Sequence, residues 1–144
     1  MSWELIRVFS DTSPAAAGYA ASARTATKVD DFKWVRAICI VTGGTGGTTD
    51  ITIQSEICTD VWEDWGRTPA VAAATTAKYA ITPVGALGVV QTGTSAETIA
   101  AAVVLAVNTC VGGHPGHTLR LIYTAGAGTS AGAAQTTYLM GWRD

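Results

Sequence analysis

The chain has 144 residues and a mass of 14.8 kDa, enough for one domain around a single hydrophobic core. Charged side chains make up only 14% of it, the formal net charge is −2, and the lysines and arginines are scattered along the sequence. Because nucleic-acid binding needs clustered cations to neutralise phosphates, this distribution argues against a DNA or RNA partner.

A surface with so few charges must be covered largely by Thr, Ser, Ala and Gly. Hydrophobic residues supply 48% of the chain, so a monomer of this composition would be less soluble than most. We therefore expect part of the surface to be buried against partner subunits. The alternative is a coding bias in a monomeric protein.

The first residues lack the basic start and apolar run of a signal peptide. The longest apolar run, 99–107, is too short to cross a bilayer. We therefore expect a soluble protein that is made in the cytoplasm and has no membrane partner.

The first predicted element is a strand at 3–9, followed by a segment without a regular pattern. Residues 11–31 are rich in Ala, Ser and Thr and contain Pro14 and Gly18, which weaken a helix. We predict an extended arm or long loop there, within a single domain that covers 1–144.

The most regular predicted strands are 34–41 and 50–57, joined by a loop with four glycines. The first is apolar on both faces apart from Arg36, as expected for a strand in the middle of a sandwich. The second alternates isoleucines with polar residues, which is typical of a half-buried strand. We predict that these two strands form a hairpin with a flexible loop.

The middle of the chain is less regular. Residues 59–69 predict an acidic, Trp-bearing turn, and 79–82 and 86–91 predict short strands around Pro83 and Gly85. Segment 97–110 is ambiguous, because a capping box and three alanines favour a helix whereas its valines favour a strand. We predict a strand, with a helix lying against the sheets as the alternative.

The last predicted strands, 119–124 and 135–142, repeat the strand, glycine-rich loop and strand layout of 36–57. About eight short strands, separated by Gly, Pro and Thr turns and without alternating helices, predict an all-β protein. The expected architecture is an antiparallel β-sandwich or barrel.

Two glycine-rich motifs suggest catalysis but lack its other parts. Ser130 lies in a G-x-S-x-G pattern, yet no histidine follows it, so we favour a Gly/Ser hairpin loop. The glycines at 43–47 lack the lysine of a phosphate-binding loop, and Asp50 would repel phosphate. We expect no enzymatic activity and no cofactor.

Two sets of side chains fit metal ligands by type: zinc would take Cys110, His114 and His117, and calcium would take Asp60, Glu63 and Asp64. Turn residues separate the histidines, and carboxylates on a loop are usually just solvated. We predict no metal site. The remaining cysteines, Cys39 and Cys58, lie at strand positions that favour buried, reduced thiols.

Five aromatic residues are the predicted partner contacts: Trp62, Trp65, Tyr79, Trp3 and Trp142. The first three could form a sugar-stacking platform or an anchor between subunits, because aromatic rings bring large contact area at low entropic cost. Core packing at a strand end explains them equally well. Trp3 and Trp142 are either interface anchors or pack together as the terminal strands pair.

Three segments resemble the decoration or cement proteins of tailed-phage heads: 34–43 (WVRAICIVTG), 51–56 (ITIQSE) with Trp62 following, and 118–129 (TLRLIYTAGAGT). The resemblance implies a jelly-roll-like sandwich that forms a homotrimer and clamps major capsid protein subunits without catalysis. It implies a location on the capsid surface of the virion. The alternatives are a tail or fibre module that binds carbohydrate through Trp62 and Trp65, and a hydrolase that uses Ser130.

Overall fold

A computed structural model describes residues 3–12, 22–23, 26–81, 89–92, 95–99, 109–111, 116–125 and 132–143. All regular structure in these residues is β-strand, and none of them belongs to a helix that could cross a membrane. The strands are β1 (Trp3–Thr12), β2 (Ser22–Ala23), β3 (Thr27–Lys28), β4 (Trp34–Thr42), β5 (Thr49–Cys58), β6 (Val61–Arg67), β7 (Thr76–Ile81), β8 (Val89–Thr92), β9 (Ser95–Ile99), β10 (Thr109–Val111), β11 (Thr118–Ala125) and β12 (Ala134–Trp142).

The strands form two antiparallel sheets. Sheet A has the order β1-β12-β4-β7, and sheet B has the order β2-β11-β5-β6-β10-β8-β9, with β3 also paired to β11. Buried side chains from both sheets form one hydrophobic cluster, so the sheets are the two layers of a sandwich. Eight of the described strands have five or more residues, so the predicted all-β class and strand number are confirmed.

Strand pairing is nested along the chain. β1 pairs with β12, β2 and β3 pair with β11, β4 pairs with β7, and β5 pairs with β6. The two halves of the chain are therefore antiparallel to each other, like the two arms of one long hairpin. This hairpin is wrapped into two layers, which is a jelly-roll arrangement. Strands β8, β9 and β10 are an insertion between β7 and β11 that extends the β6 edge of sheet B.

The predicted hairpin of the second and third strands is wrong. β4 lies in sheet A and β5 lies in sheet B, so the glycine-rich loop 43–48 crosses from one layer to the other. β11 and β12 make the matching crossing in the opposite direction. Hairpin loops usually have two to five residues, whereas spanning about 10 Å between layers needs a longer connection.

Two other segments differ from the sequence prediction. The predicted turn at 59–69 is mostly strand β6. Only Thr59 and Asp60 form a turn, immediately before that strand. Asp60 adopts a left-handed φ of 60°, which aspartate tolerates better than most residues. Residues 97–99 and 109–110 are strand, as predicted, and 100–108 lie outside the described residues.

The predicted arm at 11–31 is partly strand. Residues 11–12 continue β1, and β2 and β3 each pair with β11. Residues 13–21 and 24–25 lie outside the described part of the chain.

The interior is filled by one face of each central strand. From β4 it receives Val35, Ala37, Cys39 and Val41, and from β5 and β11 it receives Ile51, Ile53, Leu119, Leu121 and Tyr123. Both described cysteines are free, but Cys58 is exposed, contrary to expectation. Burial raises the pKa of the Cys39 thiol to about 11, and a hydrogen bond with Thr137 offsets part of this rise.

Candidate functional site

The outer face of sheet A carries a row of three tryptophans. The strand registers place Trp3 opposite Trp142 and Trp142 opposite Trp34. The rings of Trp3 and Trp142 meet edge to face, with centroids 5.8 Å apart and planes inclined by 66°. Trp34 is 43% exposed. Of the two alternatives for Trp3 and Trp142, packing together through pairing of the terminal strands is present in the structure.

Further apolar side chains continue this row along the sheet. A β-bulge at Ile6 lets Leu5 and Val8, three residues apart, occupy the same outer face. These two side chains are 56% and 43% exposed. We call the surface the aromatic face and define it as the apolar residues Trp3, Leu5, Val8, Trp34, Ile38, Tyr138, Met140 and Trp142 together with the cations Arg36 and Lys78. Soluble monomers rarely expose apolar patches that extend over several strands, so this face is the leading candidate for a binding surface.

The charged groups on the aromatic side of sheet A are cations. The guanidinium carbon of Arg36 lies 4.2 Å from the ring centroid of Trp3. Its Nε is buried and meets no acceptor among the described residues. Lys78 is exposed opposite Ile40. The three strands β4, β7 and β12 contain no acidic residue.

An unpaired buried donor is costly in the isolated chain. Leaving a buried N–H without an acceptor costs about 1–3 kcal/mol, and more for a charged group. This cost is internal to the chain, because the Nε is buried; the part of Arg36 that a carboxylate from a partner can meet is the exposed part of its side chain. The aromatic face thus has the chemistry of a site for an apolar group flanked by negative charge.

The outer face of sheet B is polar and paired internally. Arg120 donates from Nε to Oε1 of Gln54 at 2.8 Å, and Gln54 donates from Nε2 to Oδ1 of Asp64 at 2.9 Å. These three residues lie directly opposite one another on β11, β5 and β6. The guanidinium of Arg120 also covers the ring of Trp62 at 4.2 Å. This row leaves little unsatisfied hydrogen-bonding capacity.

A bidentate ion pair continues the same polar face. Arg67 donates from Nε and Nη2 to the two carboxylate oxygens of Asp50, at 3.0 and 2.9 Å. Hydrogen bonding with Asp50 raises the pKa of Arg67 above its ordinary value. The planar fork of arginine matches a carboxylate in this geometry, so the pair fixes β5 against β6.

The five predicted contact residues lie in three different places. Trp3 and Trp142 belong to the aromatic face, and Trp62 lies on the outer face of sheet B. Trp65 is only 2% exposed and belongs to the core, while Tyr79 is half-buried and packs against that core. Trp62 and Trp65 therefore form no common platform, and Trp65 drops out of the set of surface contacts.

The side chains weighed as metal ligands in the sequence do not form a metal site in the described residues. No group of three His, Cys, Asp or Glu side chains there is arranged to hold a metal ion. The Nδ1 of His117 instead contacts Oδ2 of Asp30 at 2.8 Å, beside a shallow cleft of about 360 Å³ that is also lined by Glu56 and Cys58. Ser130, His114 and the side chain of Cys110 lie outside the description.

Sequence reasoning missed most of the aromatic face, including Trp34, Leu5 and Val8. A signal was present, because β4 is apolar on both faces. A sandwich of two layers has one interior, so the second apolar face of such a strand lies on the outside.

Comparison of this chain with known proteins finds no matching protein family, no matching curated protein and no matching solved structure. Its function is therefore argued from its own surface chemistry.

Proposed function

We propose that this chain is a virion structural protein that decorates the outside of a phage head. In this proposal it acts by binding alone, as a homotrimer that cements neighbouring major capsid protein subunits. The observation that supports the proposal best is the aromatic face, a large apolar surface on a jelly-roll sandwich. Such a surface is typical of a protein that works in an assembly.

The energetic logic is that of a ligand that prefers the assembled state. A decoration protein that binds the intact shell better than free capsid subunits shifts the equilibrium toward the shell. Burial of apolar area contributes about 25 cal/mol per Å², and an oligomer that engages several capsid subunits at once adds avidity. Moderate single contacts therefore suffice to stabilise a shell that is studded with many copies.

The test uses shells assembled from the major capsid protein encoded in the same genome. We expect the chain to co-sediment with expanded shells in a saturable manner and to raise their melting temperature. Trp34→Ala is expected to weaken binding at least about tenfold, because it truncates the most exposed ring of the aromatic face. Trp62→Ala, a matched control on the opposite sheet, is expected to leave binding within about threefold of wild type. A folded wild-type chain that does not bind saturating shells would contradict the proposal.

One observation favours a second candidate function, carbohydrate binding by a tail or fibre module. Trp62 lies on an outer sheet face next to the amide of Gln54 and the carboxylate of Asp64, which are groups that orient sugars. Against it, Arg120 covers the ring of Trp62, and Trp65 is buried in the core. A glycan screen decides: a saturable signal that Trp62→Ala removes and Trp34→Ala keeps would favour this second function.

A further inference from the structure

We propose that a second copy of this chain covers the aromatic face by inserting the tip of its β5–β6 hairpin. We call this segment the acidic tip and define it as Glu56, Asp60, Val61 and Glu63. The inference rests on the proposed function, because it names the surfaces by which such a protein would form its oligomer. It assigns the aromatic face to contacts between copies, so loss of Trp34 weakens shell binding through loss of the oligomer and its avidity.

The chemistry of the aromatic face limits which groups can cover it. It offers exposed apolar side chains at Leu5, Val8 and Trp34, together with two cations, Arg36 and Lys78. No salt bridge within the described residues joins either cation to a carboxylate. A complementary occupant is therefore apolar at its centre and acidic around it.

The acidic tip has this composition. Val61 is 46% exposed, and it is the only large hydrophobic residue exposed to this extent outside the outer face of sheet A in the described residues. Four carboxylates lie within five residues of it: Asp64 is buried in the polar row of sheet B, and Glu56, Asp60 and Glu63 belong to the tip. The turn is held by a hydrogen bond from the Asp60 backbone N–H to Oε1 of Glu56, at 3.0 Å. The tip thus presents one apolar side chain with carboxylates near it.

Charge repulsion disfavours a symmetric pairing of two aromatic faces. Pairing two aromatic faces about a twofold axis would bring their cations together without any carboxylate between them, which is unfavourable. A contact between two different surfaces avoids this repulsion, and repeated head to tail it forms a ring where the rotation between copies closes and an open filament where it does not.

The strand directions place these groups along the sandwich. β4 begins at Trp34 and crosses sheet A, and β5 returns through sheet B to end at Cys58. Trp34 and the acidic tip therefore lie at the same end of the sandwich, whereas Lys78, opposite Ile40, lies toward the other end.

The test is the solution mass, measured by light scattering and sedimentation over a range of protein concentrations at low ionic strength. Wild type is expected to form a closed oligomer. Lys78→Glu on the aromatic face and Glu63→Lys on the acidic tip are each expected to raise the dissociation constant at least about tenfold. Lys28→Glu is the matched control, because Lys28 is an exposed cation on β3 in sheet B. It is expected to change the dissociation constant less than about threefold.

The decisive variant combines both reversals in one chain. In a head-to-tail ring every contact then pairs Glu at position 78 with Lys at position 63, so we expect association to recover to within about threefold of wild type. A benzophenone side chain placed at Val61 should cross-link to peptides of β4, β7 or β12 from another copy.

Three results would overturn the inference: a wild-type chain that stays monomeric, an oligomer that tolerates both single reversals, or a double reversal that does not recover. Shell binding is scored in a separate experiment. A monomer that binds shells overturns only this inference, whereas an oligomer that ignores shells overturns only the proposed function.

Discussion

The two outer faces of the sandwich are built in opposite ways on the same core. Sheet A presents tryptophans, leucine and valine to the outside, with a buried guanidinium nitrogen that has no acceptor in the described chain. Sheet B presents Arg120, Gln54 and Asp64 in a hydrogen-bonded row and a bidentate pair between Arg67 and Asp50. The outer face of sheet B therefore pairs polar groups with one another, whereas the outer face of sheet A leaves apolar side chains exposed.

This difference can be traced to single strands. β5 alternates isoleucine with polar residues, so one side fills the core and the other carries the polar network. β4 is apolar on both sides, so Val35, Ala37 and Cys39 fill the core while Trp34 and Ile38 face outward. In a sandwich of two layers, a strand without alternation marks a surface that needs a partner.

The largest expected difference in unfolding free energy is between a leucine in the core and a leucine on the aromatic face. Leu121→Ala empties a fully buried position on β11 and should lower the free energy of unfolding by about 2–5 kcal/mol. Leu5→Ala on the aromatic face should change it by less than about 0.5 kcal/mol, because Leu5 is already solvated in the isolated chain. Urea denaturation of dilute protein measures both values. Equal losses would mean that the aromatic face belongs to the folding core.

A smaller effect is expected from the ion pairs of the two sheets. Asp50→Ala leaves the guanidinium of Arg67 without its bidentate partner and should cost about 1.5–3 kcal/mol of unfolding free energy. Glu4 on β1 makes a longer, exposed contact of 3.5 Å with Arg143. Glu4→Ala breaks it and should lower the free energy of unfolding by less than about 0.5 kcal/mol. The same denaturation experiment compares them. Similar costs for the two variants would remove the distinction between the partly buried bidentate pair of sheet B and the exposed pair at the edge of sheet A.

Alkylation of the thiols tests which side of β4 faces inward. It is the smallest expected effect, because it concerns labelling rates and not stability at neutral pH. At pH 8 about one in a thousand Cys39 side chains is thiolate, because its pKa is about 11, so alkylation should be slow until the chain unfolds. Cys58 is exposed and should react readily, as mass spectrometry of the labelled peptides would show. Rapid labelling of Cys39 in the folded chain would indicate that β4 is shifted by one residue, which exchanges its two faces.

The same thiol gives a pH dependence with a defined sign. Its folded pKa lies above the ordinary value of 9.0, so the unfolded chain loses the proton first as pH rises. The contribution of Cys39 to stability is therefore intact below about pH 9 and is lost between there and about pH 11. Wild type should lose unfolding free energy more steeply than Cys39→Ala over that interval. Parallel curves would show that the thiol is not buried.

Strand positions could be predicted from the sequence, because period-two alternation and glycine-rich breaks are local signals. Strand partners could not. The loop at 43–48 has the composition of a hairpin loop yet crosses between the sheets, since only the distant pairing of β4 with β12 decides its direction.

Single aromatic residues show the same limit of local reasoning. Mutual packing of Trp3 and Trp142 is one of two alternatives that the sequence allows, and only the pairing of the terminal strands decides it. Trp62 and Trp65 could not be separated, because the irregular register of β6 against β5 sets which of them points inward.

The nested pairing of strands has a consequence for the making of the protein. Trp3 finds its partner at Trp142, so the first strand cannot take its place in sheet A until the last strand has left the ribosome. Pairing of residues so distant along the chain carries a large loop-closure entropy and slows folding. During that interval the apolar residues of β1 have no partner strand and can contact other nascent copies. Order of synthesis thus leaves β1 without a partner longer than any other strand of sheet A.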